Sequence, residues 1–220
     1  MYRIIDLLRP SELAECRQIA ERASFVDGKI TNPHAKAKNN EQLHEPNAYQ
    51  QSSQLLLAAF SRSREFVDFA FPVKIAPPLI TRYKPGMHYG AHADTAFIQL
   101  PHGQIRSDVS CTVFLNEPAS YEGGALRIRL ADADLRFKLK PGQAIVYPSD
   151  TLHEVEPVSR GERLVAITFI QSRLPDAARR HLLYELNEVA ALEGGKMEHD
   201  NFMRLQVVQQ NLLRLWGDPV

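Results

Sequence analysis

Residues 75–171 break into short β-rich runs, each ended by a turn signal. The runs at 79–83, 110–115, 125–130, 135–139, 144–147 and 164–170 are separated by PG, EGG and SRGE, sequences whose glycine and proline favour tight turns over continued strand. Many short strands at this spacing predict a sandwich or barrel of the jelly-roll kind. The chain therefore reads as mainly β, with helices on either side.

The flanks carry helical periodicity. Leu13, Cys16, Ile19, Ala20 and Ala23 recur at helical spacing behind Ser11, a candidate N-cap. Leu55, Leu56, Ala59, Phe60 and Val67 mark a second helical region at 49–71. Between them, 27–47 is polar, holds Gly28, Pro33 and Pro46 with Lys29, Lys36 and Lys38, and reads as a long irregular segment: a lid or a solvated loop. After Pro175, one stripe runs through Leu182, Leu183, Leu186, Val189 and Ala190, and another through Phe202, Leu205, Val208, Leu212 and Leu215, with Gly194-Gly195 between. An αα-hairpin packed by its stripes against the sheet is expected, with a homodimer surface as the other use for those helices.

At 220 residues the chain is long enough for one self-supporting core. Lys plus Arg and Asp plus Glu stand at 26 each, so no net field favours a nucleic acid or an anionic membrane as partner. Cys16 and Cys111 lack metal or disulfide spacing, and no apolar stretch is long enough to span a bilayer. A cytoplasmic location is the default.

Of the eight histidines only His92 has a carboxylate two residues on, Asp94. On a strand, side chains at i and i+2 share a face, so both would point one way. A third ligand is needed, and His153, which follows the run PGQAIVYP, is the candidate. Two histidines and a carboxylate make the facial arrangement of non-haem Fe(II). Alone, His-x-Asp is a weak signal, and a surface pair is its commoner explanation. In VSRGER, a three-residue loop of Ser159, Arg160 and Gly161 would pair Val158 with Glu162 and Pro157 with Arg163, bringing Arg163 onto the face of His153. The backbone separation would then be roughly 13 Å, a span that a five-carbon dicarboxylate bridges. In a two-residue register Arg163 instead lies at the open edge, paired with Glu154 or Glu162.

The segments RYKPGMHYGAHAD, SCTVFLNEPASYEGGALRI and PGQAIVYPSDTLHEVEPVSRGERLVAITFIQS resemble the iron- and 2-oxoglutarate-dependent prolyl-4-hydroxylase-type dioxygenases, specifically the bacterial PKHD-type hydroxylases. VDGKIT, AKAKNNEQL and the helical tail extend the resemblance nearly end to end. It implies a double-stranded β-helix (jelly roll) within a dioxygenase domain at 1–174, followed by a helical extension at 175–220. It implies His92, Asp94 and His153 as ligands of Fe(2+), Arg163 as the anchor of the co-substrate 2-oxoglutarate, and L-ascorbate as sustaining reductant. It suggests Tyr83 as a hydroxyl donor to the co-substrate, against the plainer reading of a packed tyrosine. The implied reaction consumes O2 and hydroxylates a small-molecule or peptidyl substrate, while 2-oxoglutarate decarboxylates to succinate and CO2.

Two rivals remain at this stage. A cupin-like metal enzyme without 2-oxoglutarate would recruit His88, which shares strand parity with His92, and would leave Arg163 without a role. In a non-enzymatic jelly-roll ligand-binding module His92 and Asp94 would hold a structural calcium, a poor match to imidazole, or nothing.

Overall fold

The computed structural model describes residues 1–32, 36–101, 103–130 and 132–219, so Pro33, His34 and His102 lie outside it. In chain order the strands are β1 (Arg3–Asp6), β2 (Phe25–Asp27), β3 (Lys38–Asn39), β4 (Glu41–Leu43), β5 (Pro72–Ile75), β6 (Leu79–Tyr83), β7 (His88–His92), β8 (Phe97–Leu100), β9 (Gly103–Arg106), β10 (Val109–Phe114), β11 (Glu122–Gly123), β12 (Leu126–Leu130), β13 (Ala133–Phe137), β14 (Gln143–Pro148), β15 (His153–Val155), β16 (Val158–Arg160) and β17 (Arg163–Ser172). Helices α1 (Pro10–Arg22), α2 (Pro46–Arg62) and α3 (Arg64–Ala70) precede the strand-rich region, and α4 (Ala177–Glu193) and α5 (His199–Trp216) follow it.

Two antiparallel sheets make the jelly roll. The larger runs β1-β14-β10-β17-β6-β4-β2, with β5 also on β17, and the smaller runs β13-β12-β15-β7-β3. Strands β10 and β17 are buried on both faces, which explains their near-continuous apolar sequence. Their even and odd positions serve different layers. Leu164, Ala166 and Ile170, with Cys111 and Val113, pack under Leu56, Phe60 and Phe66 of the N-terminal helices. Val165 and Ile167 face the other way, toward Ile128, Tyr147 and Val155 between the sheets. Arg163 shares their parity and is drawn into the interior with them.

Several local expectations change. Helix α1 starts at Pro10, whose fixed φ suits a first helical position, and Glu12 accepts the Arg9 N–H (2.8 Å); Ser11 is inside the helix, not its cap. The 49–71 region is two helices, because Ser63 interrupts it and its Oγ accepts the Phe66 N–H (3.3 Å). The described part of 27–47 is not wholly irregular: β3 joins the smaller sheet against β7, and β4 joins the larger against β6. Strands of two and three residues are too short to show a period in sequence.

The VSRGER hairpin is also corrected. Gly161 does take the left-handed conformation (φ 74°), but β16 pairs with β11 and β17 pairs with β6, Arg163 opposite Tyr83. A Cβ on Gly161 would fall 2.2 Å from the Ser120 carbonyl oxygen, so this turn is built to pass against the 118–121 segment. Arg163 and His153 therefore stand on facing sheets, not on one hairpin.

At the C-terminus α4 and α5 do form a hairpin, yet their stripes do not lie on the sheet. Helix α4 packs on α3, with Tyr184 edge-on to Phe69 (5.3 Å between ring centres), and α5 has no buried residue. Leu182, Leu192 and Leu215 are exposed. The sheet face that would have received them is already covered by α1–α3.

Candidate metal centre and its cavity

His92 ends β7 and His153 begins β15, directly opposite each other in the pairing of those strands. The register between the two strands slips here: His92 and Tyr89 on β7, three apart, face His153 and Val155, two apart. The extra residue is a bulge, which re-aims side chains near its strand end. It also breaks the parity argument for His88, whose Nδ1 lies 3.5 Å from the Gly86 carbonyl and which does not line the cavity.

Asp94 lies beyond the strand, so strand alternation does not orient it. Its backbone N–H donates to the Ser149 carbonyl (3.3 Å), tying the residues after β7 to the end of β14. That tie brings Asp94 Oδ1 to 3.9 Å from His92 Nε2 and 3.7 Å from His153 Nε2. One ligand atom from each residue lies within 4.8 Å of the others, close enough for one ion to touch all three.

Each candidate ligand is held from behind. His92 Nδ1 donates to the Gly90 carbonyl (2.8 Å) and His153 Nδ1 to the Thr151 carbonyl (2.9 Å), which leaves both Nε2 lone pairs facing inward. Ser110 Oγ donates to Asp94 Oδ2 (2.5 Å) and is itself linked to Ser149 (2.7 Å), which accepts from Ser107 (2.8 Å). Tyr89 stacks on the His92 ring at 3.7 Å. Burial, and then the neighbouring His153 imidazole, hold the His92 imidazolium below its ordinary value, as a neutral ligand requires.

The cluster opens into a cavity of about 570 Å³ between the sheets, which Tyr83, Lys38 and Arg163 also line. Arg163 is 1% exposed. Its guanidinium lies 5.0 Å from the Tyr83 ring centre and 5.5 Å from that of Phe114, and its Nε has no hydrogen-bond partner among the described residues. Glu154, one alternative partner, pairs with Arg127 instead (2.5 Å). Burial pushes the guanidinium down from its usual value, which the neighbouring tyrosines Tyr83, Tyr121 and Tyr147 offset only in part. Tyr83 is buried, and its hydroxyl accepts from Asn40 Nδ2 (3.0 Å).

All five residues singled out in the sequence thus meet in one cavity. Ser110, Tyr89 and Lys38 were not singled out as site residues. Ser110 was legible as an inward position of β10, since it shares parity with Phe114, but nothing local marks its bond to Asp94. The β8–β9 hairpin, which contributes Phe97 and Gln99 to one wall, was likewise unseen.

A jelly roll with two imidazoles and a carboxylate turned on one point, next to a buried arginine, has the architecture of the Fe(II) and 2-oxoglutarate oxygenases, and residues 78–171 match the 2OG-Fe(II) oxygenase superfamily. Solved structures agree at the level of fold. A Pseudomonas putida prolyl-4-hydroxylase superposes with a TM-score of 0.53 over 78% of this chain and 92% of its own, at 23% identity. A Trichoplax adhaerens prolyl hydroxylase, in complex with a hypoxia inducible factor peptide fragment, gives 0.58 over 82% and 86%, at 16% identity. The sequence goes further: a PKHD-type hydroxylase of Sphingopyxis alaskensis is 61% identical over 98% of this chain and 99% of its own, and one of Nitrobacter winogradskyi is 42% identical over 98% of each. The chain belongs to the PKHD-type hydroxylase family. It is an oxidoreductase, a 2-oxoglutarate-dependent dioxygenase that hydroxylates its substrate.

Proposed function

We propose that His92, Asp94 and His153 hold the Fe(II) ion and that Arg163 binds the distal carboxylate of 2-oxoglutarate. The observation that carries this reading is the buried guanidinium without a carboxylate partner, in the same cavity as the three converging ligand atoms. A buried charge is costly until it is paired, and a dicarboxylate with one end at the metal supplies the pair. The donor set suits ferrous iron, since two imidazoles and one carboxylate leave positions open for small ligands.

When bound, the iron, 2-oxoglutarate and O2 supply the oxidising chemistry, in which one oxygen atom enters a substrate C–H bond and the other enters succinate as CO2 leaves. The chain's residues provide the setting. The two backbone carbonyls fix the imidazole tautomers, and Ser110 occupies Asp94 Oδ2 so that Oδ1 remains for the metal. Asn40 orients the Tyr83 hydroxyl, whose own proton is then directed to the co-substrate. Leu126, Val155 and Ile167 on the wall exclude water from the reacting groups.

The substrate class is a small molecule or a peptidyl residue, the latter suggested by the peptide fragment in the Trichoplax complex. L-ascorbate is read as the reductant that keeps the iron ferrous. Balanced charge supports an absence of nucleic-acid and membrane partners, and no helix among the described residues is long and apolar enough to cross a membrane. Buried unpaired thiols at Cys16 and Cys111 support a reducing, cytoplasmic setting. Exposed Leu192, Val208 and Leu215 support a homodimer through the C-terminal helices.

Anaerobic titration of 2-oxoglutarate into the Fe(II) protein, followed by metal-to-ligand charge-transfer absorption, tests the assignment without knowledge of the substrate. The wild type should develop the band. Arg163→Lys keeps the charge but loses the planar fork, and is expected to bind 2-oxoglutarate about tenfold more weakly with iron affinity unaltered. An unchanged affinity would remove Arg163 from the site.

A further inference from the structure

Resting on that reading of the site, we propose that Lys38 receives a carboxylate of the primary substrate, so that the enzyme selects acidic molecules over their neutral analogues.

Lys38 is 5% exposed, an unusual burial for an ammonium. It sits on the edge strand of the smaller sheet, opposite Tyr89, and its Nζ lies 5.7 Å from the centre of the Tyr89 ring. Tyr89 in turn stacks on His92. Tyr89 is therefore a shared neighbour of the ammonium and of the metal cluster, and Lys38 lines the same cavity as that cluster. Among the described residues the one hydrogen bond of Nζ goes to Thr31 Oγ1 (3.0 Å), a neutral acceptor. Asp27 favours the charged lysine, but its carboxylate accepts the Lys29 backbone N–H (2.9 Å). Gln42, whose Oε1 accepts from Thr31 (3.0 Å), lines the cavity beside it.

Charge accounting separates Lys38 from the co-substrate. Among the described residues, the charged side chains lining the cavity are Lys38, Asp94 and Arg163. The two charges of the metal ion answer Asp94 and one carboxylate of 2-oxoglutarate; Arg163 answers the other carboxylate. Lys38 is left over, on the opposite sheet from Arg163, and the loaded cavity retains one positive charge. An anionic group on the primary substrate completes the balance and gives the ammonium the charge-assisted partner it lacks. Burial holds its pKa down to about 8 in the ligand-free protein, so near neutral pH it is still mostly the cation that a carboxylate recognises.

The test uses the anaerobic Fe(II)·2-oxoglutarate protein, with pairs of N-acetyl-L-amino acids and their carboxamides as probes. Probe binding is read from the perturbation of the charge-transfer and ligand-field absorption. Wild type is expected to bind the carboxylates about tenfold or more tightly than the matching carboxamides, Lys38→Met to lose that difference, and Lys38→Arg to retain most of it. Affinity for 2-oxoglutarate should be unchanged in each variant, which also reports that the site is folded; if Lys38→Met does not fold, Lys38→Gln takes its place. A wild type that prefers neither member of the pairs, or that binds no carboxylate probe, overturns the inference, as does a Lys38→Met variant that keeps the preference. A wild type that binds Fe(II) yet shows no 2-oxoglutarate band overturns the site assignment itself, a result distinct from the loss of carboxylate preference.

Discussion

Asp94 shows how a ligand can be legible in sequence while the reason for its orientation is not. His-x-Asp marks the residue, but Ser110, sixteen positions on, holds one of its oxygens. Removing that hydroxyl leaves the carboxylate free to rotate, so Ser110→Ala is expected to weaken Fe(II) binding about tenfold or more, measurable by anaerobic metal titration. Arg163 is the converse: it reaches the cavity, but not through the expected hairpin, which does not form. Its position follows instead from parity along β17 with Val165 and Ile167. Lys38 carries a stability prediction of its own. Its native pKa of about 8 lies below the ordinary 10.5, so the unfolded chain binds the proton more tightly and burial of the charge opposes folding at every pH below 8. That opposition is relieved as pH rises from 8 toward 10.5, and its full size is roughly 3 kcal/mol. Lys38→Met should therefore stabilise the metal-free protein at pH 7 and flatten the rise of wild-type stability between pH 8 and 10, as followed by denaturant unfolding.

Among the elements, the turn at Gly161 couples backbone geometry to the site. Its φ of 74° and the 2.2 Å approach that a Cβ would make to the Ser120 carbonyl leave no room for a side chain, and Arg163 follows two residues later. Gly161→Ala is expected to destabilise the fold by about 1–3 kcal/mol and to weaken 2-oxoglutarate binding, because the turn must shift before β17 can start in register. Thermal unfolding and the same charge-transfer titration would check both parts; unchanged 2-oxoglutarate affinity would uncouple the turn from the site. The αL glycine was readable from its place in SRGE, whereas the strand that β16 chose was not. Pairing partners are set by which edges meet in space, and β11, two residues long, leaves no trace in periodicity. The same holds for β3 and β4, which turn an apparently irregular stretch into the link between the two sheets.

At the scale of the whole molecule, the two helices of the C-terminal hairpin are held unequally by the rest of the fold. Helix α4 is anchored: Arg180 is buried and donates to the Leu174 carbonyl (2.6 Å), and Tyr184 rests on Phe69. Helix α5 buries nothing, and beyond it Asp218 pairs with Arg106 at the end of β9 (2.7 Å), a partly exposed contact worth no more than about 1 kcal/mol. A chain ended after Gly195 is therefore expected to keep Fe(II) and 2-oxoglutarate binding and to run as a monomer in light scattering. A chain ended at Leu174 should lose substantial stability. This sequence settled, without a structure, the class of fold and the outer helices, and it marked the five candidate residues that line the cavity, because turn residues, strand-forming runs and adjacent ligands are local signals. Tertiary structure alone decided that Arg163 and His153 stand on facing sheets, that Ser110 steadies Asp94, that Lys38 is buried beside Tyr89, and that Leu182, Leu192, Val208 and Leu215 of the C-terminal helices stay exposed. Each of those depends on which surfaces of a closed sandwich come into contact, and the energy of such contacts belongs to pairs of residues distant along the chain, not to any local pattern.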